Sequence, residues 1–212
     1  MLRRLVNFVL LACFCCVSLT AWAATPQPVG TAYKQRYMNL VAAASCLGVY
    51  LPEEGREFDY LRSFGWEITS QQVTQGKVET NFAIAKNYYP EQKKQFYLVT
   101  FRGSASKKDW LLNLRTERVN YGGATLAEME QVAAQPLDKE QPAVHSGFNS
   151  YVQTVLRTAV IDENGQWQGV FLDTLSNPNA YLILTGHSLG GAVATLLGER
   201  LVSLGFPKDK FT

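Results

Sequence analysis

The stretch YLILTGHSLGGAVATLLGERL, residues 181–201, joins two kinds of element at one serine. Tyr181 to Thr185 is an apolar run of strand length, and Gly191 to Leu201 has the character of a helix, with Ala192 and Ala194 small enough for close packing. Between them Gly186-His187-Ser188-Leu189-Gly190 matches G-x-S-x-G. In a strand-to-helix context this pattern is the signature of a nucleophile elbow. The turn leaves no room for side chains at 186 and 190, and it projects the Ser188 hydroxyl out of the sheet. There the positive end of the following helix favours a developing oxyanion. The plainer alternative is a glycine-rich turn with an ordinary serine at its bend.

An elbow of this kind needs two backbone donors for an oxyanion: the N–H of the residue after the serine, here Leu189, and one from the loop after an earlier central strand. The run FYLVTFRGSAS, residues 96–106, offers the second. Its strand ends near Arg102, Gly103 permits a sharp turn, and Ser104 follows with an N–H and a hydroxyl. A turn or capping role is the competing reading for Ser104.

Moving outward, residues 78–89 and 95–102 are two β-rich runs joined by the polar turn Pro90 to Lys94, a hairpin signature. Trp66 to Thr69 is a short strand candidate. Tyr33, Tyr37, Leu40, Val41, Ala44 and Leu47 recur at helical spacing and predict one helix ending near Gly48. Ala124 to Ala134 predicts a second helix. In residues 148–160 a third is clearer, because Phe148, Val152, Val155, Leu156 and Ala159 share a face. A further helix fits between the loops at 162–165 and 177–179. Strands alternating with helices argue an α/β domain, with a mostly parallel sheet and helices on both faces.

Composition bounds the remainder. The chain has 212 residues, 47% hydrophobic, enough for one domain with a real core. Its first 23 residues read as an export signal: Arg3 and Arg4, an apolar run from Leu5 to Leu19, then the small-x-small site Ala21-Trp22-Ala23. Export to the periplasm or the medium is expected, with residues 24–212 as the domain. Removing Arg3 and Arg4 takes the formal charge of +2 to zero, which implies no nucleic-acid partner. Cys13, Cys15 and Cys16 leave with the signal, so Cys46 stays alone; no disulfide framework, metal site or cofactor is expected in this stretch.

FRGS (101–104), KDWLLNL (108–114), VHSGF (144–148) and GHSLGGA (186–192), in that order, resemble the class 3, fungal-type lipases of the α/β-hydrolase fold. The resemblance covers about residues 31–212. It implies a serine ester hydrolase with Ser188 as nucleophile, Ser104 and Leu189 as the oxyanion hole, and a lipid or other ester as substrate at a lipid–water interface. It also gives His145 a structural role. The segment Lys107 to Leu114 takes the place of a lid, where Trp110, Leu111 and Leu114 could cover an apolar trench. Phospholipids and sugar or feruloyl esters are alternative substrates.

One part of the machinery is missing from this stretch. This fold supplies its triad in the order serine, acid, histidine. After Ser188 the carboxylates are Glu199, on the elbow helix, and Asp209, in the loop after it. The two histidines are His145, which precedes the serine, and His187, which adjoins it and should point away. The expectation is a C-terminally incomplete hydrolase, inactive alone, whose next strand begins at Lys210-Phe211-Thr212. A non-catalytic remnant acting as an interaction module is the competing reading.

Overall fold

The computed structural model describes residues 29–51, 56–75, 78–104 and 117–212. The proposed export signal and the proposed lid residues Trp110, Leu111 and Leu114 lie outside them. Helix α1 (Val29–Gly48) opens the described chain; its residues up to Leu40 belong to one unit, and those from Val41 belong to a second that runs to Thr212.

In the second unit, helix α2 (Arg56–Ser63) precedes three consecutive strands: β1 (Glu67–Gln75), β2 (Val78–Tyr89) and β3 (Lys94–Phe101). The predicted hairpin is β2–β3, antiparallel, with Phe82 opposite Phe101. Strand β1 extends well beyond the expected Trp66 to Thr69 and pairs antiparallel with β2 along its length. Its sequence EITSQQVTQ has too few apolar side chains to signal a strand, because it lies at the sheet edge, where most of its side chains meet solvent.

Strand β6 (Ala180–Gly186) then adds parallel to β3, giving the order β1-β2-β3-β6. The α/β class holds, and the described sheet is mixed rather than mostly parallel. Short polar turns join β1 to β2 to β3, and such turns can only produce antiparallel neighbours. The long β3-to-β6 connection, with its helices, permits the parallel pairing. Beyond β6 the chain returns to the sheet. Phe211 bridges Leu182 in parallel, the Thr212 N–H donates to the Leu182 carbonyl at 3.0 Å, and Leu184 N–H donates to Thr212 at 2.8 Å. Where a further strand is expected to begin, the chain thus forms a single bridge at Phe211 that covers part of the edge of β6.

Between β3 and β6 lie β4 (Arg118–Asn120), α3 (Leu126–Ala134), β5 (Ala143–His145), α4 (Ser146–Val155) and α5 (Gly169–Ser176). At its end α4 widens into a π turn, Leu156–Val160. Strands β4 and β5 form a separate two-stranded ladder, too short to leave a periodic trace in the sequence. Helix α3 begins with a capping box. The Thr125 hydroxyl accepts the Glu128 N–H at 3.2 Å, and the Glu128 carboxylate accepts the Ala124 and Thr125 N–H groups at 2.8 and 3.3 Å. Thr125→Ala should cost about 1 kcal/mol, read as a fall of roughly 2–4 °C in thermal midpoint by circular dichroism.

Alternation along β3 and β6 divides the core into two layers. On one face Phe82, Val99, Phe101 and Leu182 pack with Val152 and Val155 of α4, Phe171 of α5 and Val193 and Leu197 of α6 (Leu189–Ser203). The other face, with Leu98, Thr100, Ile183 and Thr185, meets the end of α1. There the Ser45 hydroxyl shares a short hydrogen bond with Thr100, and the Cys46 thiol lies 3.4 Å from the Thr185 hydroxyl. Helices therefore cover both faces, as the alternation predicts, and β3 is buried from both sides.

Candidate active site

The β3–β6 register decides where the motifs meet. Phe101 lies opposite Gly186. Two residues further along each strand come Gly103 and Ser188, so the FRGS loop and the serine turn leave the same sheet edge side by side. Crevices at the carboxyl ends of parallel strands are where α/β sheets place their sites.

Ser188 has φ 58° and ψ −122°, one of two non-glycine residues with positive φ among those described. A conformation of this kind costs about 1–3 kcal/mol and persists only where the surroundings over-determine it. Here they do. The Gly190 N–H donates to the His187 carbonyl at 3.0 Å, and Gly191 and Ala192 N–H groups donate to the Ser188 carbonyl at 3.0 and 3.2 Å. A methyl at Gly186 would overlap the Gly190 carbonyl group, and one at Gly190 would overlap the Phe101 carbonyl. Both glycines are thus required by close backbone approach, as the motif implies.

Ser188 also stands at the N-cap of α6, yet its side chain makes no capping bond to the helix, and the residue is exposed. A serine kept only as a cap would adopt extended backbone and accept an amide of the first turn. Leu189 opens α6, so its N–H has no carbonyl one turn earlier to bond. Ser104 is half-buried in the loop after β3. Chemically, an exposed hydroxyl at a helix N-terminus, beside first-turn amides, can serve acyl transfer once a base accepts its proton.

The histidines are engaged elsewhere. His145 caps α4: its Nδ1 accepts the Gly147 N–H at 3.1 Å, and its ring stacks on Phe148 at 4.6 Å. His187 turns its Nδ1 toward the Tyr50 hydroxyl, 3.4 Å away. Glu199 projects from α6 to Tyr121, whose hydroxyl donates to its Oε2 at 2.6 Å. Burial, and then this bond, push the Tyr121 phenol well above its ordinary pKa, so it stays a donor. The neighbouring Arg200 guanidinium lies 3.6 Å from the Tyr121 ring centre and donates to the Gly122 carbonyl at 2.9 Å, anchoring the far end of the elbow helix. Among the described residues no group of three His, Cys, Asp or Glu could hold a metal ion.

Tyr50 and Arg200 escape sequence reasoning. Neither belongs to a motif, and a buried arginine in a helix carries the same letter as an exposed one.

A strand, a strained serine turn and a helix at the carboxyl edge of parallel strands are the framework of an α/β-hydrolase fold. A family model, Lipase (class 3), matches residues 98–212, more than half of the sequence, and the chain belongs to that family. The secreted mono- and diacylglycerol lipase 1 of Fusarium solani is 29% identical over 146 residues, 69% of this chain and 37% of that protein. A lipase of Rhizomucor miehei is 31% identical over 121 residues, 56% of this chain and 25% of that protein. The solved structure of the Rhizomucor miehei triacylglyceride lipase superposes with a TM-score of 0.54 at 20% identity. The match covers 87% of this chain and 61% of that one, and it shows the shared fold. The chain spans about a third of the length of the curated relatives it matches.

Proposed function

We propose that this chain carries the nucleophile and oxyanion hole of an exported, lipase-type ester hydrolase, with Ser188 attacking the ester carbonyl and forming an acyl-enzyme. The observation that carries the reading is the Ser188 backbone: a strained turn in which the hydroxyl caps nothing. The Leu189 and Ser104 amides receive the oxyanion. The alcohol leaves as the acyl-enzyme forms, and water then hydrolyses the acyl-enzyme, releasing the carboxylic acid and regenerating the hydroxyl. The triad acid and base come from outside residues 1–212, because both histidines here are occupied and Glu199 is held by Tyr121.

Acylglycerols are the substrate class most in keeping with the relatives, and the export signal is in keeping with the secreted Fusarium protein. The Trp110, Leu111 and Leu114 segment is assigned the lid. Without a base, these 212 residues alone turn over esters slowly: loss of a triad member costs on the order of 10⁶ in a well-studied serine hydrolase. The test is mass spectrometry of the natural full-length product after exposure to a fluorophosphonate, together with p-nitrophenyl butyrate hydrolysis. Modification confined to Ser188 and loss of hydrolysis on modification are expected; turnover that survives complete modification of Ser188 overturns the reading.

The occupied histidines favour one second reading, a non-catalytic interaction module. It predicts no ester hydrolysis by the natural full-length product.

A further inference from the structure

We propose that Tyr50 is a positioning residue that holds the Ser104-bearing turn against the serine elbow, an inference that rests on Ser188 being the nucleophile. Tyr50 lies two residues past the end of α1, and its N–H donates to the Leu47 carbonyl at 3.2 Å. Its ring meets the His187 ring edge-on, with centres 6.4 Å apart and planes at 63°, and its hydroxyl lies 3.4 Å from His187 Nδ1. A methyl added at Gly103 would overlap both this hydroxyl and the His187 carbonyl. One phenol oxygen therefore occupies the seam between the two turns.

The direction of the bonds follows. Burial pushes the Tyr50 phenol above its ordinary pKa, the adjoining Gly103 backbone offsets this in part, and the group stays protonated at neutral pH. The protonated phenol lies 3.4 Å from His187 Nδ1, placed to donate to it, and that pairing goes with the imidazole form protonated at Nε2. One consequence matters for the chemistry. The separation of the Ser104 and Leu189 amides is set by a rigid phenol rather than by two flexible turns, and oxyanion stabilisation depends on such preorganisation.

Tyr50→Phe in the full chain keeps the ring and removes the bridge. Two quantities are measured: the ¹⁵N shifts of the His187 ring with the imidazole neutral, and the saturation kinetics of Ser188 modification by an alkyl p-nitrophenyl phosphonate, whose attack builds the same oxyanion charge. In the unsubstituted chain Nδ1 should report as an acceptor; in the variant that preference should shrink. The maximal modification rate should fall about tenfold, less than the 10²–10³ that removal of a whole donor costs, with the half-saturating concentration unchanged. An unaltered rate, or unaltered His187 shifts, overturns the positioning role. Absence of Ser188 modification in the unsubstituted chain, with His187 still responding to Tyr50→Phe, overturns the nucleophile assignment itself, and the positioning role falls with it.

Discussion

Ser188→Ala in the natural full-length product should lower ester turnover by a factor on the order of 10⁶, the cost of deleting the nucleophile in a well-studied serine hydrolase. The change removes one oxygen that makes no bond to the helix it caps, and alanine keeps the same backbone demand at φ 58°. Stability should therefore move by no more than about 0.5 kcal/mol. The pairing of a very large kinetic effect with a very small thermodynamic one is the discriminating result. Thermal midpoints and p-nitrophenyl ester rates on the two proteins supply it. A variant that retains even one per cent of the turnover would assign the chemistry to another group.

Gly190→Ala should act the opposite way, through the fold. An added methyl there would overlap the Phe101 carbonyl group, at the end of the most buried strand. Backbone cannot rotate aside as a side chain can, so relief requires α6 to move off β3. Overpacking of this kind costs about 3 kcal/mol or more, a fall of roughly 6–12 °C in thermal midpoint. Gly198→Ala, two turns further along α6, is the control. Its methyl would meet side-chain ends, Phe211 Cε2 at 3.2 Å and Leu184 Cδ1 at 3.8 Å. Those ends can yield, and alanine gains up to about 1 kcal/mol of helix propensity over glycine. The same methyl on the same helix should thus destabilise at 190 and be neutral or stabilising at 198. Equal effects would show that the elbow is not held by backbone contact.

What could be read in the sequence was local. The G-x-S-x-G turn, the β2–β3 hairpin and the helix beginning beside Thr125 all announce themselves within a few residues, because turn chemistry, capping and periodicity are short-range effects. The four ordered motifs were likewise legible from residue identities. In the structure His145 caps α4, and His187 Nδ1 lies 3.4 Å from the Tyr50 hydroxyl. The length of β1 and the β4–β5 ladder were not legible: one is an edge strand with a largely polar sequence, the other only three residues a side.

Tertiary structure alone decided which distant groups meet. Tyr50 meets His187 across 137 residues of chain, Cys46 meets Thr185 across 139, and Tyr121 meets Glu199 across 78. No local pattern encodes such contacts. The first two depend on the parallel register that sets Phe101 opposite Gly186, and that register exists because β3 and β6 must bury apolar side chains on both faces at once.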